Sequence, residues 1–148
     1  MKILSAVEAA KLIKSNDTIA ISGSGGSGSP EATLRALVNR FRKNKCPKNL
    51  TVAAGIIPGN LTDDDVGLNC LAEPGLTGKA ICAHYGKAKK FGEAVGENQF
   101  PAFGIPLGVY THLLRAIAGK KPGVITHVGL NTFVDPRIEG ARLNQKAE

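Results

Sequence analysis

An α/β fold with a mainly parallel sheet flanked by helices is what the pattern of the chain predicts, and three observations carry that reading. Short apolar runs at Thr18-Ile19-Ala20-Ile21, Leu50-Thr51-Val52-Ala53-Ala54 and Lys79-Ala80-Ile81-Cys82-Ala83 have the length and character of buried strands. Helical patterns alternate with them at the spacing of βαβ units. The third observation is the stretch over residues 17–41, DTIAISGSGGSGSPEATLRALVNRF, which reads as strand, glycine turn and helix in direct succession.

Taken in order, Ser5-Ala6-Val7-Glu8 is a capping box that opens a first helix, with Ala6, Ala9, Ala10 and Ile13 on one face. The first strand follows at residues 18–21. Gly23, Gly25, Gly26 and Gly28 then strip large side chains from the turn, so that backbone N–H groups can approach a ligand. Ser29 is expected as N-cap, Pro30 as first helical residue and Glu31 as an acid at the positive helix end. Leu34, Leu37, Val38 and Phe41 form the apolar face that lies on the sheet. A glycine turn at a helix start is also a place for a phosphate or carboxylate.

Cys46-Pro47 ends that helix, and the strand at residues 50–54 follows. Asp63-Asp64-Asp65 is expected to start a short helix reaching Leu71, closed by Pro74-Gly75. After the third strand comes a basic helix over residues 87–95. Phe100-Pro101-Ala102-Phe103 reads as a strand near a sheet edge because of its proline. Pro106-Leu107-Gly108 leads into a helix with Tyr110, Leu113, Leu114 and Ile117 on its stripe, stopped by Gly119 and Pro122. A further strand is expected at residues 123–129. Residues 131–148 offer no clear element to close the domain.

The chain of 148 residues suits a single domain, 43% hydrophobic and 21% charged. Its 19 Lys and Arg against 12 Asp and Glu give +7, which suits a polyanionic partner such as a nucleotide-containing cofactor. Five Phe, two Tyr and no Trp make poor stacking platforms, so nucleic acid is not the expected partner. The basic clusters, Arg40, Arg42, Lys43, Lys45 and Lys48, then Lys87, Lys89 and Lys90, read as solvated helix ends.

Cys46, Cys70 and Cys82 include no C-x-x-C pair, which fits reduced thiols in a cytosolic protein. His84, His112 and His127 lack metal-ligand spacing, and three consecutive aspartates on a helix point in different directions, so no metal is expected. No signal peptide or run of about 18 apolar residues stands out, so the expected location is the cytoplasm.

Gly23-Ser24-Gly25-Gly26-Ser27-Gly28 satisfies G-x-G-x-x-G, the dinucleotide fingerprint. The acid that should end the second strand is missing, since that strand ends Ala53-Ala54-Gly55 and the next acid is Asp63. An NAD-dependent oxidoreductase is therefore a weak reading. A Walker lysine is absent as well, because Gly28 is followed by Ser29-Pro30.

Several separated segments resemble a different family. They are Leu4-Ser5-Ala6-Val7-Glu8-Ala9, Gly23-Ser24-Gly25-Gly26 with Glu31-Ala32-Thr33, and Gly104-Ile105-Pro106-Leu107-Gly108 with Leu114-Arg115-Ala116. Pro122-Gly123-Val124-Ile125-Thr126, Gly129-Leu130-Asn131-Thr132-Phe133-Val134-Asp135-Pro136-Arg137 and Gly140-Ala141-Arg142-Leu143-Asn144 complete the set. In this order they resemble the N-terminal half of the class I CoA-transferases, closest to the single-chain propionate or acetate type. The resemblance implies a CoA-transferase N-terminal domain over residues 1–148, truncated, with the C-terminal catalytic half absent.

It also implies a ping-pong transfer of CoA between an acyl-CoA and a small carboxylic acid, with the CoA ester as substrate and no permanently bound cofactor. In the family a glutamate attacks the thioester, passing through an acyl anhydride and a glutamyl-CoA thioester; covalent catalysis divides one hard exchange into easier steps. That glutamate lies in the second half, within a Glu-Asn-Gly type motif; Glu97-Asn98-Gln99 is a partial echo, so no catalytic residue is assigned here.

By the same resemblance, Gly25, Gly26 and Ser27 wall the acyl and carboxylate pocket, with Leu107 and Gly108 nearby and Thr132 and Phe133 on the opposite edge. The family commonly carries Gln where Leu107 stands, an amide able to hydrogen-bond near the reacting carboxylates. Leu107 offers none. The expected assembly is a homo-oligomer, or a complex with a partner that supplies the missing half. A non-catalytic acyl-CoA or carboxylate binding module is the alternative of a different class.

Overall fold

The computed structural model describes residues 2–62 and 65–148. Four parallel strands, β1 (Thr18–Ala20), β2 (Leu50–Ala54), β3 (Thr77–Cys82) and β4 (Ala102–Gly104), form one sheet in the order β1-β2-β3-β4. The helices are α1 (Ala6–Leu12), α2 (Glu31–Asn44), α3 (Lys89–Gly96) and α4 (Leu107–Ala118), with 3-10 turns at Gly67–Leu71 and Gln145–Ala147. The expected α/β class and parallel sheet are therefore present.

The two faces of the sheet are treated differently. In β2 the side chains alternate, so Leu50, Val52 and Ala54 are buried while Thr51 and Ala53 are half-buried. The buried side meets Leu34, Leu37, Val38 and Phe41 of α2, together with Leu68 and Leu71 of the 3-10 turn and Phe91, Ala94 and Val95 of α3. Phe91 stacks on Tyr85 and meets Phe100 at a tilt, with ring centroids 6.2 and 5.2 Å away. Asn69 is buried in this layer with its amide satisfied. It donates to the Asn60 carbonyl at 2.9 Å and accepts from the Phe91 N–H at 3.3 Å.

Opposite this core, α4 is the helix that reaches the other face. Gly55 continues the alternation of Thr51 and Ala53, and a Cβ built on it would stand 2.7 Å from the Tyr110 ring and 3.0 Å from Leu107 Cδ1. Only glycine admits the helix this closely. The Tyr110 hydroxyl donates to the Ala53 carbonyl at 3.3 Å, tying α4 to β2.

Local expectations fared unevenly. The capping box at Ser5 forms in full, its hydroxyl accepting from the Glu8 N–H at 3.3 Å while the Glu8 carboxylate accepts from the Ser5 N–H at 2.8 Å. Hydrogen bonds within that box hold the Glu8 carboxyl below its ordinary range. The cap of α2 is Pro30, not Ser29, and the Ser29 hydroxyl is buried without a partner. The carbonyl of Pro30 accepts the first helical bond, from Leu34 at 3.0 Å. β1 is an edge strand with Thr18 and Ala20 exposed, where a fully buried strand was expected.

The α4 stripe also departs from expectation. Tyr110 is buried, yet Leu114 and Ile117 are exposed, because no element of the described residues packs outside them. Residues 123–129 form no strand. A strand needs a neighbour, and the outer edge of β4 is already taken by residues 141–143, through Gly104 N–H to Ala141 O at 2.8 Å and Leu143 N–H to Ala102 O at 3.0 Å. The tail thus closes that edge, where no closing element was anticipated. Smaller differences are the start of β3 at Thr77, of α3 at Lys89, and of the short helix at Gly67. Asp63 and Asp64, expected to start the short helix, lie outside the described residues.

Candidate active-site wall

Parallel sheets present ligands at the carboxyl ends of their strands. Here a cavity of about 310 Å³ opens at the ends of β1 and β2, beside the first turns of α4. Ala20 at the end of β1 and Ile21, Ser22 and Gly23 after it line one side, Gly55 and Ile56 come from the segment after β2, and Leu107, Tyr110, Thr111 and Leu114 from α4. No charged side chain is among these. Burial raises the Tyr110 pKa, so the phenol remains a neutral donor to Ala53.

The glycine stretch is ordered. Ser24 and Ser27 exchange backbone hydrogen bonds of 2.9 and 3.1 Å, closing a two-residue turn at Gly25-Gly26. Gly25 is pinned to the loop after β2, donating to Ile57 O at 3.2 Å and accepting from Gly59 N–H at 2.9 Å. Gly23 has φ +125°, and a Cβ there would fall 2.9 Å from Pro58 Cβ, so this position requires glycine. Gly26 and Ser27 are exposed, with open space around Gly26. The acid expected at the start of α2 is used internally: Glu31 Oε1 accepts from Gly67 N–H at 2.9 Å.

Of the seven residues singled out in sequence, Leu107 lines the cavity. Gly108 is exposed on the next position of α4, and its carbonyl accepts from the Thr111 hydroxyl at 2.8 Å. Gly25, Gly26 and Ser27 follow Gly23 around the turn, on the side of Ile57 and Gly59. Thr132 and Phe133 lie on the β4 side of the entry to α4. The Phe133 ring edge would stand 3.2 Å from a Cβ on Gly104, and Gly129 rests on Val134 and Pro106.

That last loop is built around Asp135, whose side chain is fully buried. Its carboxylate accepts from the backbone N–H groups of Asn131 at 2.9 Å and Arg137 at 3.0 Å, and from the Arg137 guanidinium at 2.6 and 3.0 Å. The Arg137 hydrogen bond, with the two backbone donors, holds the carboxyl well below the usual range. Glu97, the partial echo of a catalytic motif, caps the end of α3 and precedes β4. It therefore lies toward the opposite end of the sheet from the cavity.

Sequence reasoning did not find Ser22, Gly55, Ile56, Thr111 or Leu114. The signal available was positional: Ser22 and Gly55 each follow a strand pattern directly, where α/β sheets bind ligands. Among the described residues, no cluster of three His, Cys, Asp or Glu is placed to hold a metal.

With this geometry in view, the coenzyme A transferase family profile matches residues 3–146. The chain belongs to the coenzyme A transferase family. Acetate CoA-transferase YdiF of Escherichia coli K12 is 39% identical over 146 residues, covering 97% of this chain and 27% of that protein. Caffeate CoA-transferase of Acetobacterium woodii is 40% identical over 144 residues, again 97% of this chain and 27% of the relative. One subunit of the probable succinyl-CoA:3-ketoacid coenzyme A transferase of Bacillus subtilis is 30% identical over 90% of this chain and 52% of its own length.

The solved structure of Escherichia coli O157:H7 YdiF as a thioester complex with CoA superposes with a TM-score of 0.89 at 34% identity. The match covers 98% of this chain and 30% of that one. The chain thus spans about a quarter of the length of these two relatives.

Proposed function

We propose that residues 1–148 form one wall of a site that moves CoA between a short-chain acyl-CoA and a carboxylic acid, with the attacking glutamate supplied from outside these residues. The observation that carries this reading is the cavity at the ends of β1 and β2. It stands where an α/β sheet binds its ligand, in a chain of the coenzyme A transferase family, and its lining contains no carboxylate.

In the proposed reaction the glutamate carboxylate attacks the thioester carbonyl and CoA leaves as thiolate, giving an acyl-glutamyl anhydride. The thiolate then attacks the glutamyl carbonyl, releasing the first acid and leaving a glutamyl-CoA thioester. A second carboxylate reverses the sequence and departs as its CoA ester. The contribution of this chain is to hold the acyl group and exclude water, with the glycine turn at Gly25, Gly26 and Ser27 and the Thr132-Phe133 loop as the borders of the site.

Calorimetry with acetyl-CoA, acetate and NAD tests this reading. Binding of the CoA ester without turnover is the expected result. Tight NAD binding with no response to acetyl-CoA would overturn it.

A further inference from the structure

Helix α4 ends in a backbone wrap that leaves two cations without work inside the chain. The Gly119 N–H donates to Arg115 O at 2.9 Å, the Lys120 N–H to Ile117 O at 3.0 Å and the Lys121 N–H to Ala116 O at 2.8 Å. Three of the last helical carbonyls are thus met by backbone, so the Arg115 and Lys121 side chains are not needed to cap them. Among the described residues no carboxylate pairs with either cation. Elsewhere the arginines are committed: Arg40 to the Ala10 and Ile13 carbonyls, Arg42 to Glu73.

The Lys121 bond also folds the chain back over the final turn of α4, and a cleft of about 320 Å³ opens between the two. His112, Arg115, Ala116, Lys121, Gly123 and Val124 line it, with no acid among them. His112 and Arg115 stand three residues apart and so side by side on the helix. This cleft shares no lining residue with the cavity at the ends of β1 and β2.

We infer that the cleft is an anion site for a diphosphate group, free or carried by a nucleoside, held by Arg115, Lys121 and His112. The guanidinium plane matches a phosphate with two parallel donors, the ammonium supplies a second positive charge, and the imidazole adds an N–H. A lone carboxylate carries one charge on two oxygens and would leave part of this set unused. Ala116 and Val124 provide apolar surface beside the charged groups, which a nucleoside can cover. The inference stands independently of the CoA-transferase reading.

The test titrates the ¹⁵N-labelled chain at constant ionic strength with inorganic pyrophosphate, inorganic phosphate, acetate and ADP, reading amide shifts. Saturable shifts are expected at His112, Arg115, Lys121, Gly123 and Val124, with pyrophosphate bound at least about fivefold more tightly than phosphate and acetate giving no saturation. Tighter binding of ADP with larger shifts at Val124 identifies a nucleoside diphosphate as the ligand, whereas equal or weaker binding identifies the free diphosphate. Arg115→Gln and Lys121→Gln, both at exposed positions, should each raise the Kd for pyrophosphate about five- to tenfold. Paired Lys43→Gln and Lys45→Gln substitutions in the basic cluster at the end of α2 should leave it unchanged. Shifts spread over all the basic clusters, equal affinity for acetate and pyrophosphate, or the same loss from the α2 pair as from Arg115→Gln would each overturn the inference.

Discussion

Asp135 ties its loop together through hydrogen bonds that need its ionised carboxylate. Its pKa is lowered in the folded chain, so its contribution is complete above the ordinary carboxylate range and fades as pH falls below about 4. Hydrogen exchange at the Asn131 and Arg137 amides should therefore lose protection on acidification before the core does. Asp135→Asn should show the same loss at neutral pH, and unchanged protection in that variant would contradict the account. The cysteines make a second prediction at this scale. Burial pushes Cys70 up to about 12 and Cys82 up to about 11, whereas Cys46 is half-buried. Iodoacetamide at pH 8 should modify Cys46 alone in the native chain and all three after denaturation, as read by mass spectrometry.

At the scale of elements, the junction of β2 with α4 decides whether the cavity exists. Gly55→Ala places a methyl within 2.7 Å of the Tyr110 ring, so it should cost about 1–3 kcal/mol in chemical denaturation and displace α4. Core helix α2 behaves differently: its Leu37→Ala variant should cost about 2–5 kcal/mol and leave the cavity lining in place. How legible each element was follows from where its determinants lie. The α1 capping box, the apolar face of α2 and all of β2 depend on neighbours within a few residues, and these emerged as read. Residues 123–129 have the composition of a strand, but pairing beside β4 was closed to them because residues 141–143 fill that edge, a contact between distant parts of the chain. The exposed stripe of α4 has the same origin, since periodicity marks an apolar face without saying what covers it. Leu107 was legible in the site through the family resemblance of its Pro-Leu-Gly segment, while Gly55 and Leu114 join it only through the fold.

For the whole molecule, the imbalance of the sheet is the governing feature. Parallel sheets are ordinarily covered on both faces, yet here α2 and α3 cover one while α4 reaches the other with Leu114 and Ile117 exposed. Ile125, Val128 and Phe133 add exposed apolar surface. We expect self-association through this surface, so that Ile117→Lys lowers the apparent mass in size-exclusion chromatography at high concentration; a monomer in both proteins would count against it. Charge acts more locally. Arg42 pairs with Glu73 at 3.0 Å and Arg40 donates to the Ala10 and Ile13 carbonyls at the end of α1, so part of the basic cluster is structural.

The central claim, that this chain walls a CoA-transfer site whose glutamate lies elsewhere, is tested most directly by isotope exchange. Butyryl-CoA and labelled butyrate are incubated with the 148-residue chain, with and without a glutamate-bearing C-terminal segment from a family relative. The account predicts no labelled thioester from the chain alone and labelled butyryl-CoA when the segment is added. Exchange by the chain alone, at a rate unaffected by the segment, would contradict it.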